Sequence, residues 1–148
     1  MLYALNVHNC LCDRKIEVVQ QHVYLGITVD NFFTWRPHIS NLCNRLRSVC
    51  FQLFHLSYML PNQVLKTVYV ALVESLICYG ILAWGNASSY HLNLISSLQY
   101  KMLKIITPKS IINELKSEPI NLFKYNKLFP VTQMYKYKLI LKFYFEPS

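Results

Sequence analysis

The sequence predicts a mostly α-helical fold opened by an N-terminal β-hairpin. Three observations point there. Apolar residues recur at helical spacing in separate stretches from Pro37 onward, Pro37, Pro61, Pro108, Pro119 and Pro130 punctuate those stretches, and Val, Ile, Leu and Tyr concentrate before residue 30. Of 148 residues 53% are apolar and only 15% charged, which supports a real core and excludes disorder. So little charge implies unusually buried helices, or surfaces that face a partner.

Leu2 to Val7 and Ile16 to Val29 read as strands, and the polar stretch HNCLCDRK between them reads as the hairpin turn. Gly26 falls inside the second strand, where a glycine marks close approach of another backbone. A lone hairpin is marginal in water, so these strands need a covering surface. Pro37 then opens an amphipathic helix: Ile39, Leu42, Cys43, Leu46, Val49, Cys50 and Leu53 share one face, and Arg45, Ser48, Gln52 and His55 form the opposite stripe.

Pro61 starts the next helix, where the missing amide proton costs nothing. From Val64 to Trp84 it is apolar almost all round, with a narrow polar stripe of Gln63, Lys66, Thr67 and Glu74, as expected of a helix central to a bundle or lying in a membrane. Gly80 and Gly85 loosen its end, and Gly85 to Ser89 makes a loop and capping region. A third helix carries Leu92, Ile95, Leu98, Met102 and Ile105 on one stripe, with Asn93, Ser97, Tyr100, Lys101 and Lys104 opposite, until Pro108 ends it. Short helices at Ile111 to Lys116 and Ile120 to Lys127 follow, then a longer one from Val131 to Phe145.

The net charge of +8 is uneven. Residues 101–148 hold nine lysines against Glu114, Glu118 and Glu146, interleaved with tyrosine and phenylalanine. Such a segment suits nucleic acid or an anionic membrane surface, and equally a solubilising lysine face. Five cysteines cannot all pair and form no secreted framework, and no basic region precedes an apolar run at the N-terminus; both point to a reducing intracellular setting, cytoplasm or nucleus, with no glycan on Asn86.

Catalytic chemistry is hard to place in this chain. Two-metal catalysis needs converging carboxylates, whereas the aspartates are Asp13 and Asp30 alone and no two acidic residues are adjacent. The three glycines make no phosphate loop, and no nucleophile sits in a supporting context. His8, Cys10, Cys12 and His22 lack zinc spacing and read as a turn with incidental thiols, so no metal site is expected. Val68 to Trp84 is short for a membrane span and carries Glu74, which favours a bundle over insertion.

The order of local motifs is specific. Tyr24-Leu25-Gly26, Trp35 with His38-Ile39, Leu60-Pro61, Tyr79-Gly80 with Trp84-Gly85, and Leu98-Gln99 with Lys101 follow one another. This series resembles the C-terminal region of reverse transcriptases from jockey-like non-LTR retrotransposons, across roughly residues 16–145. The resemblance implies a truncated RNA-directed DNA polymerase. Residues 1–35 would correspond to a β-hairpin at the palm edge, 36–107 to a three-helix thumb-like bundle, and 108–148 to a basic helical segment.

Tyr24, Leu25 and Gly26 would then be primer-grip-like, with burial in the strand as the alternative for the first two. Arg45, Arg47, Lys101 and Lys104 are the nucleic-acid-binding candidates, against a solvated polar face. Trp35 and Trp84 are expected as core or bundle-end anchors. The implied partners are an RNA/DNA template–primer duplex and the missing palm and fingers, with no membrane. No catalytic residue and no cofactor is expected in this chain, since the parent polymerase would use Mg²⁺ in its palm. A non-catalytic binding module, an inert fragment and a small membrane-associated helical protein are the other readings.

Overall fold

The computed structural model describes residues 19–115 and 118–145, and the fold is mostly α behind a two-stranded hairpin. Strand β1 (Gln21–Tyr24) pairs antiparallel with β2 (Ile27–Asp30), Tyr24 facing Ile27 and Gln21 facing Asp30. The helices are α1 (Arg36–Leu56), α2 (Asn62–Tyr69), a π-helical turn (Val70–Glu74), α3 (Ser75–Cys78), α4 (Ile81–Trp84), α5 (Ser89–Ile106), α6 (Lys109–Glu114), α7 (Pro119–Asn126) and α8 (Val131–Phe145).

The hairpin itself differs from the expected one. Tyr24-Leu25-Gly26 is not a continuous strand: Leu25 and Gly26 are the two turn residues, both at positive φ (47° and 78°). A two-residue turn of that kind matches the twist of its flanking strands. Glycine takes this backbone freely, but leucine costs roughly 1–2 kcal/mol there. The Tyr79 hydroxyl donates to the Leu25 carbonyl and helps to hold it. The predicted strand Leu2 to Val7 and the HNCLCDRK turn lie outside the described residues.

Between β2 and α1 the chain turns through Phe33 and Trp35, also at positive φ (52° and 62°). One side chain organises this turn. Asp30, buried at the end of β2, accepts the Thr34 amide and hydroxyl on Oδ2 (3.0 and 2.8 Å) and the Trp35 amide on Oδ1 (3.0 Å). Burial would raise the Asp30 pKa, but these donors outweigh it and hold the carboxyl below its usual 3.8.

The expected single helix from Pro61 to Trp84 is interrupted twice. Leu65, Tyr69, Val73 and Ile77, all buried, are spaced four apart. In a 3.6-residue helix each step of four overshoots a turn by roughly 40°, so such a stripe would drift off the core. The π turn, with its wider i→i+5 rings, winds back part of that drift where Val73 sits. The second interruption is at Tyr79 and Gly80, where Gly80 takes φ +62°. A Cβ there would lie 2.3 Å from Ile27 Cδ1, so the break also seats the hairpin against the bundle. The Tyr79 carbonyl, freed by the break, accepts the buried Trp84 indole N–H at 3.1 Å.

Helices α1 and α5 form the central pair, joined by Leu42, Leu46, Leu53, Ile95, Leu98 and Met102 in one core. Leu122, Phe123, Leu128, Val131 and Met134 of the basic segment belong to that same core. Trp84 is fully buried and Trp35 half-buried against it, as anchors. No described helix is long and apolar enough to cross a membrane.

Candidate nucleic-acid interface

Helical geometry decides which polar residues of α1 face outward together. Ile39, Leu42, Cys43, Leu46, Val49 and Leu53 take the inner arc. The polar part of the exposed arc begins at Arg45, runs through Gln52, Asn41, Ser48, His55 and Asn44, and ends at Arg47, with exposed Phe51 just before Arg47 and Phe54 just past it. Although only two residues apart, Arg45 and Arg47 are therefore its two opposite edges. Between them lies an uncharged ridge of hydrogen-bonding groups that also carries the exposed Phe51 ring. Arg47 is braced by donating from Nη1 to Asn44 Oδ1 at 2.6 Å.

Each edge meets another predicted residue. On the Arg45 side, Gly26, Thr28, His38, Leu42, Leu76 and Tyr79 close a small cleft with Arg45, which sets the hairpin turn beside α1. His38, buried at the base of this cleft, accepts the Thr28 amide on Nδ1 at 3.4 Å. That acceptor role places its proton on Nε2. Burial, and then the Arg45 charge, hold the His38 pKa below its usual 6.5. Tyr24 and Leu25 are two-thirds or more exposed (66% and 71%), so both side chains are open to solvent and not packed as core.

On the Arg47 side, α5 brings Lys101 close to Cys50: burial raises that thiol's pKa and the Lys101 ammonium acts against the rise. Lys101 and Lys104 are one turn apart on the exposed arc of α5, with the Lys104 ammonium 4.5 Å from the Tyr100 ring centre. The four predicted cations are all exposed, two at the edges of the α1 arc and two on α5, and α1 and α5 pack together with the hairpin turn beside Arg45.

This surface offers cations and neutral donors, not reacting groups. Asp30, its one buried carboxylate neighbour, has both oxygens engaged by Thr34 and Trp35. Among the described residues no group of three or more His, Cys, Asp or Glu is placed to hold a metal ion. Described cysteines Cys43, Cys50 and Cys78 carry free thiols.

Gln99 was the residue whose role sequence reasoning missed. It is fully buried, accepts the Val131 amide on Oε1 (2.9 Å), and donates from Nε2 towards the Phe129 carbonyl (3.3 Å) and the Tyr69 hydroxyl (3.4 Å). The signal was available, because position 99 falls on the Ile95–Met102 stripe at helical spacing. A second buried amide, Asn126, donates to the Thr107 hydroxyl at 2.8 Å and the Leu122 carbonyl at 2.9 Å. These amides fix the basic segment to α5 and so fix the surface α5 presents.

No protein-family model matches the chain, and no solved structure matches it. Among curated proteins, the RNA-directed DNA polymerase from mobile element jockey of Drosophila melanogaster is 31% identical over 100 residues, covering 64% of this chain and 11% of that protein. The probable RNA-directed DNA polymerase from transposon BS of the same species is 34% identical over 94 residues, 59% of this chain and 10% of its own length. The jockey counterpart from Drosophila funebris is 33% identical over 92 residues, again 59% and 10%. The chain thus spans about a tenth of the length of these curated relatives. It is similar to a short stretch of the RNA-directed DNA polymerases of jockey-like mobile elements, as its ordered motifs had indicated.

Proposed function

We propose that this chain is a thumb-like fragment of a retrotransposon RNA-directed DNA polymerase, which holds a template–primer duplex and performs no polymerisation itself. The observation that carries this reading is the sweep of exposed groups on packed elements, the Tyr24–Gly26 turn beside Arg45, Arg45 and Arg47 on α1, and Lys101 and Lys104 on α5. Cations flanking an uncharged ridge suit phosphate contacts, which position a duplex without reading its bases. The turn, with exposed Tyr24 and Leu25 beside a glycine backbone, suits close approach to a primer strand.

In this reading residues 1–35 are the palm edge, 36–107 the thumb unit and 108–148 a basic helical buttress. The magnesium chemistry belongs to the palm and fingers of a parent polymerase, in an intracellular setting. Fluorescence anisotropy with a labelled RNA–DNA hybrid provides the test. Binding should weaken as salt rises, and Lys101→Glu with Lys104→Glu should lower the logarithmic salt slope by about 2. Binding that ignores salt and both reversals would sink the proposal, and template-dependent synthesis by the purified chain would refute its non-catalytic half.

A further inference from the structure

On a different face of the bundle, the basic segment and α2 enclose a second basic surface. Gln99 Nε2 reaches the Phe129 carbonyl, while Lys101, two residues on, points about 200° around α5. Phe129 therefore lies on the side of α5 away from the duplex surface. There a cleft of about 460 Å³ is bordered by Lys66, Glu74, Lys127, Phe129, Tyr137 and Lys138. Three ammonium groups face one half-buried carboxylate, so the cleft is net cationic. A neighbouring recess of about 420 Å³ shares Lys127 and Phe129 and adds Lys124, which extends the basic track past the phenylalanine.

Two exposed rings sit between these lysines. Phe129 and Tyr137 are near-parallel, 20° between planes and 6.3 Å between centres, and each is about half exposed. Their backbones are held independently of the rings, Phe129 through Gln99 and Tyr137 within α8. The chain thus keeps a fixed aromatic ledge in water, flanked by cations. An acidic peptide would use the lysines but has no need of the ledge, whereas unpaired bases stack on such rings while their phosphates meet the lysines.

We propose that the Phe129–Tyr137 ledge, with Lys66, Lys127 and Lys138, is a binding surface for single-stranded nucleic acid, separate from the duplex surface. It does not depend on the duplex reading. A labelled oligouridylate of roughly a dozen nucleotides should bind with salt-sensitive affinity. Phe129→Ala with Tyr137→Ala should weaken it about tenfold, whereas Phe129→Trp should retain it. Lys127→Glu with Lys138→Glu, both exposed and so harmless to the core, should also weaken it. Lys101→Glu with Lys104→Glu should leave it unchanged while reducing hybrid binding. Unchanged oligouridylate affinity in the ring variant, or polyglutamate binding the wild type as tightly as oligouridylate does, overturns the proposal. Failure of the unaltered chain to bind the hybrid, with oligouridylate binding intact, overturns only the duplex reading.

Discussion

The hairpin and the basic C-terminal segment are both fastened to the helical pair α1–α5 by buried polar groups, but of opposite kinds. The hairpin joint uses ionisable side chains: Asp30 gathers the turn into α1, and His38 receives the Thr28 amide. The C-terminal joint uses neutral amides, Gln99 and Asn126. The buried amides have no proton to gain in acid, whereas Asp30 and His38 do, so acid acts directly on the groups of the hairpin joint. The hairpin joint also stores backbone strain, at Leu25, Phe33 and Trp35, whereas the C-terminal joint has one left-handed residue, Lys127. A permanent buttress and a conditional tip are what this contrast teaches.

The largest test of the comparison is Gln99→Leu. It leaves the Val131 amide and the Phe129 carbonyl without their partner and should cost about 2–4 kcal/mol in chemical denaturation. A loss below that range would mean that apolar packing alone fastens α8.

Gly80→Ala should cost about 1–3 kcal/mol, because it combines a left-handed backbone with a Cβ driven into Ile27. Since the obstacle is the tip of a side chain, Ile27→Ala in the same chain should recover the steric part and leave the backbone part, read as a double-mutant cycle.

Acid should distinguish the two joints next. Both ionisable groups have lowered folded pKa values, so the unfolded chain binds more protons in acid and each contribution is lost as pH falls. The His38 contribution is present above 6.5 and fades as pH drops below it; that of Asp30 is present above 3.8 and fades below that. His38→Gln should flatten the first of these slopes. Amide exchange should therefore accelerate in β2 before α8 as pH is lowered, after correction for intrinsic rates. Equal loss at both ends would count against the ionisable joint. Tyr79→Phe comes last: it removes one exposed hydrogen bond to Leu25 and should cost under about 1 kcal/mol.

Much of this architecture was legible before any coordinates. Proline placed the start of α1, and α8 runs over the predicted Val131–Phe145, because apolar spacing and proline chemistry are local signals. What stayed hidden depends on contacts distant in sequence. Leu25 as a turn residue breaks a run that reads VYLGITV, and the Tyr79 hydroxyl that helps to hold it lies far along the chain. The π turn likewise follows from keeping Tyr69, Val73 and Ile77 on one core, which composition does not encode. For the interface, periodicity found exposed cations, but their order across two helices needed the packing of α1 on α5.

The most direct test of the account is where a template–primer hybrid touches the chain. Photo-crosslinking with a reactive primer strand, mapped by mass spectrometry, reads this residue by residue. The account predicts crosslinks at the Tyr24–Gly26 turn, on the outward arc of α1 between Arg45 and Arg47, and near Lys101 and Lys104. Crosslinks confined to other faces, with that sweep untouched, would contradict it.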